Sequence, residues 1–86
     1  MIEIRTGNMG NDLDIFHNGR RIARTDVFRR RRAFYIVDDS SENNGVAIDA
    51  KDATPRKLQR EPYFVLSLLW ACGVEMPAGT EVAFIG

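Results

Sequence analysis

The sequence predicts an α+β domain: a mainly antiparallel β-sheet of about five to six strands packed on one principal C-terminal helix. Three observations carry that expectation. Period-two alternation and β-branched or aromatic residues recur through residues 1–48. An Asn18-Gly19 pair stands between two such segments. One apolar stretch, Pro62 to Val74 with Ser67 inside it, follows them. The 86 residues have room for one core, so residues 1–86 are expected to form a single compact domain.

The elements follow in order. Ile2 and Ile4 alternate with Glu3 and Arg5, the pattern of a half-buried strand. Thr6 to Asn11 carries Gly7 and Gly10 and reads as a turn. Leu13–His17 and Arg20–Arg24 then flank Asn18-Gly19, which accepts the positive φ angles of a type I′ hairpin. Two-residue closure sets His17 opposite Arg20, Phe16 opposite Arg21, Ile15 opposite Ile22 and Leu13 opposite Arg24. Leu13, Ile15 and Ile22 are then expected to face the core. Ala33–Val37 reads as the next strand, residues 38–45 as a polar connection, and Val46–Ile48 as a short return strand.

Thr54 can cap a helical turn with Pro55 at its first position. Pro62 removes a backbone donor, which divides the segment into a turn at 55–60 and a helix at about 62–72, ended by Gly73. Met76–Gly79 is a turn and Thr80–Ile85 a closing strand. On the helix, Tyr63, Ser67, Trp70 and Val74 form one stripe, expected in the core. An exposed stripe would instead be an apolar interface, centred on Tyr63 and Trp70, for a homodimer or a target protein.

The formal net charge is zero, but its distribution is uneven. Seven of the ten arginines lie between Arg20 and Arg32, opposed there by Asp26 alone, which leaves +6. Residues 1–37 carry eight basic and four acidic side chains; residues 38–86 carry four basic and eight acidic. Neutrality argues against bulk attraction to DNA, and the cluster argues for a local anion contact. Its candidate members are Arg20, Arg21, Arg24, Arg29, Arg30, Arg31 and Arg32, with Tyr35 beside them on the following strand. The tract has three readings. It can be a solvated edge pairing with acidic residues 38–42, although exposed ion pairs contribute only about 0–1 kcal/mol each. It can contact nucleic acid by phosphate bonding and base stacking. It can also dock on an acidic protein surface, where the planar guanidinium pairs bidentately.

Catalytic and metal motifs are missing from the sequence. His17, the single histidine, flanks a turn. Cys72 is the single cysteine, so no intramolecular disulfide or multi-cysteine metal site can form, and a reduced, buried thiol in a cytoplasmic protein is expected. Asp38, Asp39, Glu42, Asn43 and Asn44 collect oxygen ligands without the alternate spacing of a calcium loop. Neither an enzyme nor a cofactor or metal is expected. The thirteen residues from Pro62 to Val74 are too few to span a bilayer.

In general character the chain is similar to the small accessory proteins of phages and mobile elements, including anti-defence inhibitors such as anti-CRISPR proteins. The resemblance lies in size, arginine preference over lysine and absent catalytic motifs; it covers no aligned residues and transfers no site. It implies a non-enzymatic inhibitor or regulator in the cytoplasm (the host's, if phage-encoded). Such a protein would occupy an acidic protein surface or a protein–nucleic-acid complex through an arginine-rich sheet edge. The alternatives are a nucleic-acid-binding regulator using the same arginines and a structural assembly subunit.

Overall fold

The computed structural model describes residues 1–37 and 47–86. The strands are β1 (Ile2–Gly7), β2 (Asp12–His17), β3 (Arg20–Phe28), β4 (Arg31–Ile36), β5 (Ala47–Asp49) and β6 (Val82–Phe84). Two helices, α1 (Pro55–Arg60) and α2 (Phe64–Ala71), lie between β5 and β6. All six strands form one open sheet in the order β5-β4-β3-β2-β1-β6, antiparallel except for the β1–β6 pair. This is the α+β class expected from the sequence.

The sheet order dictates where the helices go. β5 and β6 are opposite edges, roughly 24 Å apart at about 4.8 Å per strand. The chain between them must therefore cross the sheet, and it does so over one face. Register puts Ile4, Ile15 and Ala23 side by side on that face, with Thr25 beside Phe34 and Ile2 beside Val82. The apolar residues among these form one buried cluster with Leu58, Val65, Leu68 and Leu69 of the helices and Cys72 at the end of α2. Each large apolar side chain buried there contributes roughly 1.5–3 kcal/mol. Among the described residues no α-helix lies on the other sheet face.

Local signals set the helix ends. Thr54 Oγ1 accepts from the Lys57 N–H at 3.1 Å with Pro55 at the first position, as the sequence predicts. The chain breaks at Pro62, where Lys57 bridges the two helices: its Nζ meets Glu61 Oε2 at 2.7 Å and lies 5.1 Å over the Phe64 ring. α2 ends in a left-handed Gly73 (φ 86°), with the Val74 N–H donating to Leu69 O and the Gly73 N–H to Trp70 O.

The β2–β3 hairpin has the expected turn but not the expected register. Asn18 (φ 51°) and Gly19 (φ 84°) form the turn, and His17–Arg20 and Phe16–Arg21 pair beside it. A bulge then opens, and Ile15 faces Ala23 rather than Ile22, while Asp14 rather than Leu13 faces Arg24. The reason is a phase change within β3. Continuing the alternation from Arg21 would put Arg24 and Asp26 on the core face; the extra residue at Ile22 puts Ala23 and Thr25 there instead.

Candidate anion-binding surface

The strand ladder separates the predicted arginines into three places. Arg20 lies exposed beside the β2–β3 turn. Arg21 and Arg24 lie half-buried on the helix-free face, with Tyr35 in register beside Arg24. Arg29, Arg30 and Arg31 are exposed at the opposite end of β3, in the β3–β4 hairpin. Nine residues of strand separate the two ends by roughly 26 Å. The expectation of one continuous arginine-rich edge is therefore corrected. β3 and β4 are interior strands, covered laterally by β2 and β5, and the edges belong to β5 and β6.

On the helix-free face the charges are largely compensated within the protein. Arg5, Asp14, Arg24, Tyr35 and Ala47 stand in one cross-strand row. Arg21 Nη1 lies 3.5 Å from Asp14 Oδ1, and Arg5 Nη2 lies 3.1 Å from Glu3 Oε1. The Arg5 guanidinium also sits 6.0 Å from the centroid of the Phe16 ring. Burial pushes the Tyr35 phenol above its ordinary pKa, against the opposing influence of Arg24, so the hydroxyl stays protonated and able to donate.

The β3–β4 tip is set apart by its backbone. Phe28 pairs with Arg31, leaving Arg29 and Arg30 as a two-residue loop with φ values of 50° and 66°. Two positive φ angles define a type I′ turn, the geometry for which Asn-Gly is the favoured pair. A left-handed backbone costs an ordinary L-residue about 1–2 kcal/mol. Asn18-Gly19 makes the same kind of turn at the other end of β3 with the favoured residues. The second hairpin holds two arginines where its conformation disfavours both.

Arg32 has another task. Its Nη1 donates to Asn11 O at 2.9 Å and to Thr25 Oγ1 at 3.2 Å, pinning the β1–β2 turn to the sheet. Thr25 is fully buried and also accepts from the Leu13 N–H at 2.9 Å. Beside Arg32 a recess of about 390 Å³ is lined by Arg30, Arg31, Arg32, Asp49 and Lys51. Lys51 arrives there because β5 runs antiparallel to β4 and the Ala50 N–H donates to Arg32 O at 2.9 Å. No local sequence signal joins Lys51 to the arginines; strand pairing does.

The remaining candidates fall elsewhere. Trp70 and Tyr63 are 69% and 55% exposed, so the expectation that their stripe lies in the core is corrected. α2 turns Val65, Leu68, Leu69 and Cys72 toward the sheet, and one sheet face can cover only one side of a helix. Burial raises the pKa of the Cys72 thiol, which disfavours the thiolate. His17 is half-buried beside the turn, its Nε2 3.4 Å from Asn18 Nδ2.

The residues considered for a calcium loop, and the acidic partners 38–42, lie outside the described residues. Val37 and Ala47, which flank that segment, lie toward the far end of β4 from Arg31, roughly 20 Å and roughly 14 Å away respectively. Among the described residues no three His, Cys, Asp or Glu side chains group as metal ligands, and no helix is long and apolar enough to cross a membrane. No protein family, curated protein or solved structure matches this chain.

Proposed function

We propose that this protein is a small non-enzymatic inhibitor or regulator that docks its β3–β4 arginine hairpin on an acidic surface of a macromolecular partner. The observation that carries this reading is the Arg29-Arg30 turn. The fold has an unstrained solution for a two-residue hairpin and uses it at Asn18-Gly19, yet it retains two left-handed arginines at the exposed tip. Backbone strain at a solvent-facing cationic apex points to a purpose outside folding. Action by surface occupancy is also the mode of the small phage and mobile-element accessory inhibitors that the chain resembles in character.

The test is capture of a partner from the native host with the wild-type chain and with R29A/R30A/R31A. Arg32 is left intact because it holds the β1–β2 turn. The partner should be retained by the wild type and lost by the variant at physiological salt; equal capture would sink the proposal.

A nucleic-acid reading draws on Phe16, Tyr35 and the nearby arginines of the helix-free face, since aromatic and guanidinium planes stack on bases. Pairing of Arg21 and Arg5 with carboxylates weighs against it. The discriminating measurement is binding to mixed-sequence DNA and RNA across a salt series, and tightening at low salt would favour this reading over a protein partner.

The exposed Tyr63 and Trp70 belong to a second proposed contact, between copies of this chain. W70S should then convert a concentration-dependent dimer into a monomer in sedimentation velocity. A wild-type chain that stays monomeric at high concentration would remove that contact from the account.

A further inference from the structure

The recess beside the hairpin says more about what the partner presents. We propose that it is a phosphate-monoester site, receiving a phosphorylated side chain of a protein partner; this rests on the docking role of the hairpin and names the group recognised. Among the described residues, Arg30, Arg31, Arg32 and Lys51 surround one concavity with a single carboxylate, Asp49, giving these residues a lining charge of +3 (four cations against one anion). A carboxylate ligand carries one charge and is matched by one bidentate guanidinium. A phosphate monoester carries about −1.5 to −2 at neutral pH and offers three strong acceptor oxygens, which several donors can share.

The donors are held from separate directions. Arg32 is fixed through Asn11 and Thr25, Lys51 follows the Ala50–Arg32 backbone bond, and Arg30 and Arg31 come from the strained turn and its closing pair. A volume of about 390 Å³ exceeds a bare phosphate and leaves room for the side chain bearing it.

The surroundings favour a lone dianion over a polyanion. Beyond Arg32 a second recess of about 330 Å³ is lined by Asp12 and Asp26 together with Asn11 and Val27. Asp14 lies further along the helix-free face, in register with Arg5 and Arg24. Successive phosphodiesters leaving the first recess in that direction would meet carboxylates, whereas a phosphorylated side chain ends inside the recess.

The experiment titrates the full chain at fixed ionic strength with three probes, read by amide chemical shifts. They are a phosphoserine hexapeptide, the same peptide with glutamate in its place, and a 5′-phosphorylated oligothymidylate. The phosphopeptide should shift the amides of residues 30–32 and 49–51 and bind about 10-fold tighter than the glutamate peptide, the equivalent of one further charge-assisted bond. K51A should weaken it about 5–10-fold. D49N should strengthen it about 3–10-fold, because the substitution removes a charge of the ligand's own sign. Both positions are exposed, so folding is not at stake. Equal affinity for the glutamate peptide or no gain in D49N would each overturn the phosphate assignment, and tighter binding of the oligonucleotide would overturn its assignment to a phosphorylated protein side chain. Phosphatase treatment of a captured partner separates the two proposals. Capture that survives treatment but is lost in R29A/R30A/R31A removes the phosphate and keeps the hairpin. Capture that survives in the triple variant removes the hairpin.

Discussion

R29N/R30G should make this protein more stable and deprive it of its partner. Both positions have left-handed backbone, at φ values of 50° and 66°. Asparagine tolerates that region better than arginine, and glycine enters it without steric cost. Glycine's extra freedom in the unfolded chain returns part of the gain, so the exchange should stabilise by about 1–2 kcal/mol in total. For a domain of this size that raises Tm by about 5–15 °C. Binding should change in the opposite sense, because two cations leave the hairpin tip. R29A/R30A separates the causes: alanine keeps the backbone strain and removes the charge, so it should lose the partner with little of the stability gain. Thermal denaturation of the three proteins, alongside partner capture, checks both halves. An Asn-Gly variant no more stable than the wild type would mean that the turn is not strained, and the main support for the docking hairpin would be gone.

That hairpin is also where sequence reasoning stops working. The β2–β3 turn is legible because Asn18-Gly19 is a low-cost pair for its geometry. The β3–β4 turn is not, because Arg29-Arg30 lacks glycine, asparagine and proline, the residues by which turns are recognised. A locally disfavoured sequence held by the surrounding sheet is characteristic of a site under demands other than folding. The break at Pro62, the cap at Thr54 and the stop at Gly73 are legible for the opposite reason: each acts through its own backbone.

The bulge at Ile22 lies between these cases. Its only trace in the sequence is a change of phase, from Ile22 to Ala23 and Thr25, as the residue turned toward the core. Counting outward from the turn misses that change and sends Arg24 inward. The recess was not legible at all. Lys51 lies nineteen positions from Arg32 in the sequence, and only the β4–β5 pairing brings it alongside. The exposure of Trp70 depends likewise on topology, since it follows from α1 and α2 crossing the same sheet face.

T25V should be the most damaging conservative substitution in the chain. The volume scarcely changes, so its effect isolates one hydroxyl. Thr25 is fully buried, and its Oγ1 accepts two bonds. One comes from the Leu13 N–H, just beyond the point where the β2–β3 ladder ends at Asp14–Arg24. The other comes from Arg32, which holds Asn11 with the same nitrogen. Valine leaves the Leu13 donor buried without its partner, at about 1–3 kcal/mol, and removes one of Arg32's two anchors. The combined loss should be about 2–4 kcal/mol, a large part of the roughly 4–13 kcal/mol available to a domain of this length. T25S keeps the oxygen and loses only a methyl group, so it should retain most of the stability and all of the Arg32 geometry. Chemical denaturation of the two variants gives the comparison directly. If T25V unfolds within about 0.5 kcal/mol of the wild type, Leu13 has found another acceptor and Thr25 is not the junction between core and arginine tip. If T25V is destabilised as argued, it should also loosen the recess through Arg32, weakening phosphopeptide binding even where the chain remains folded.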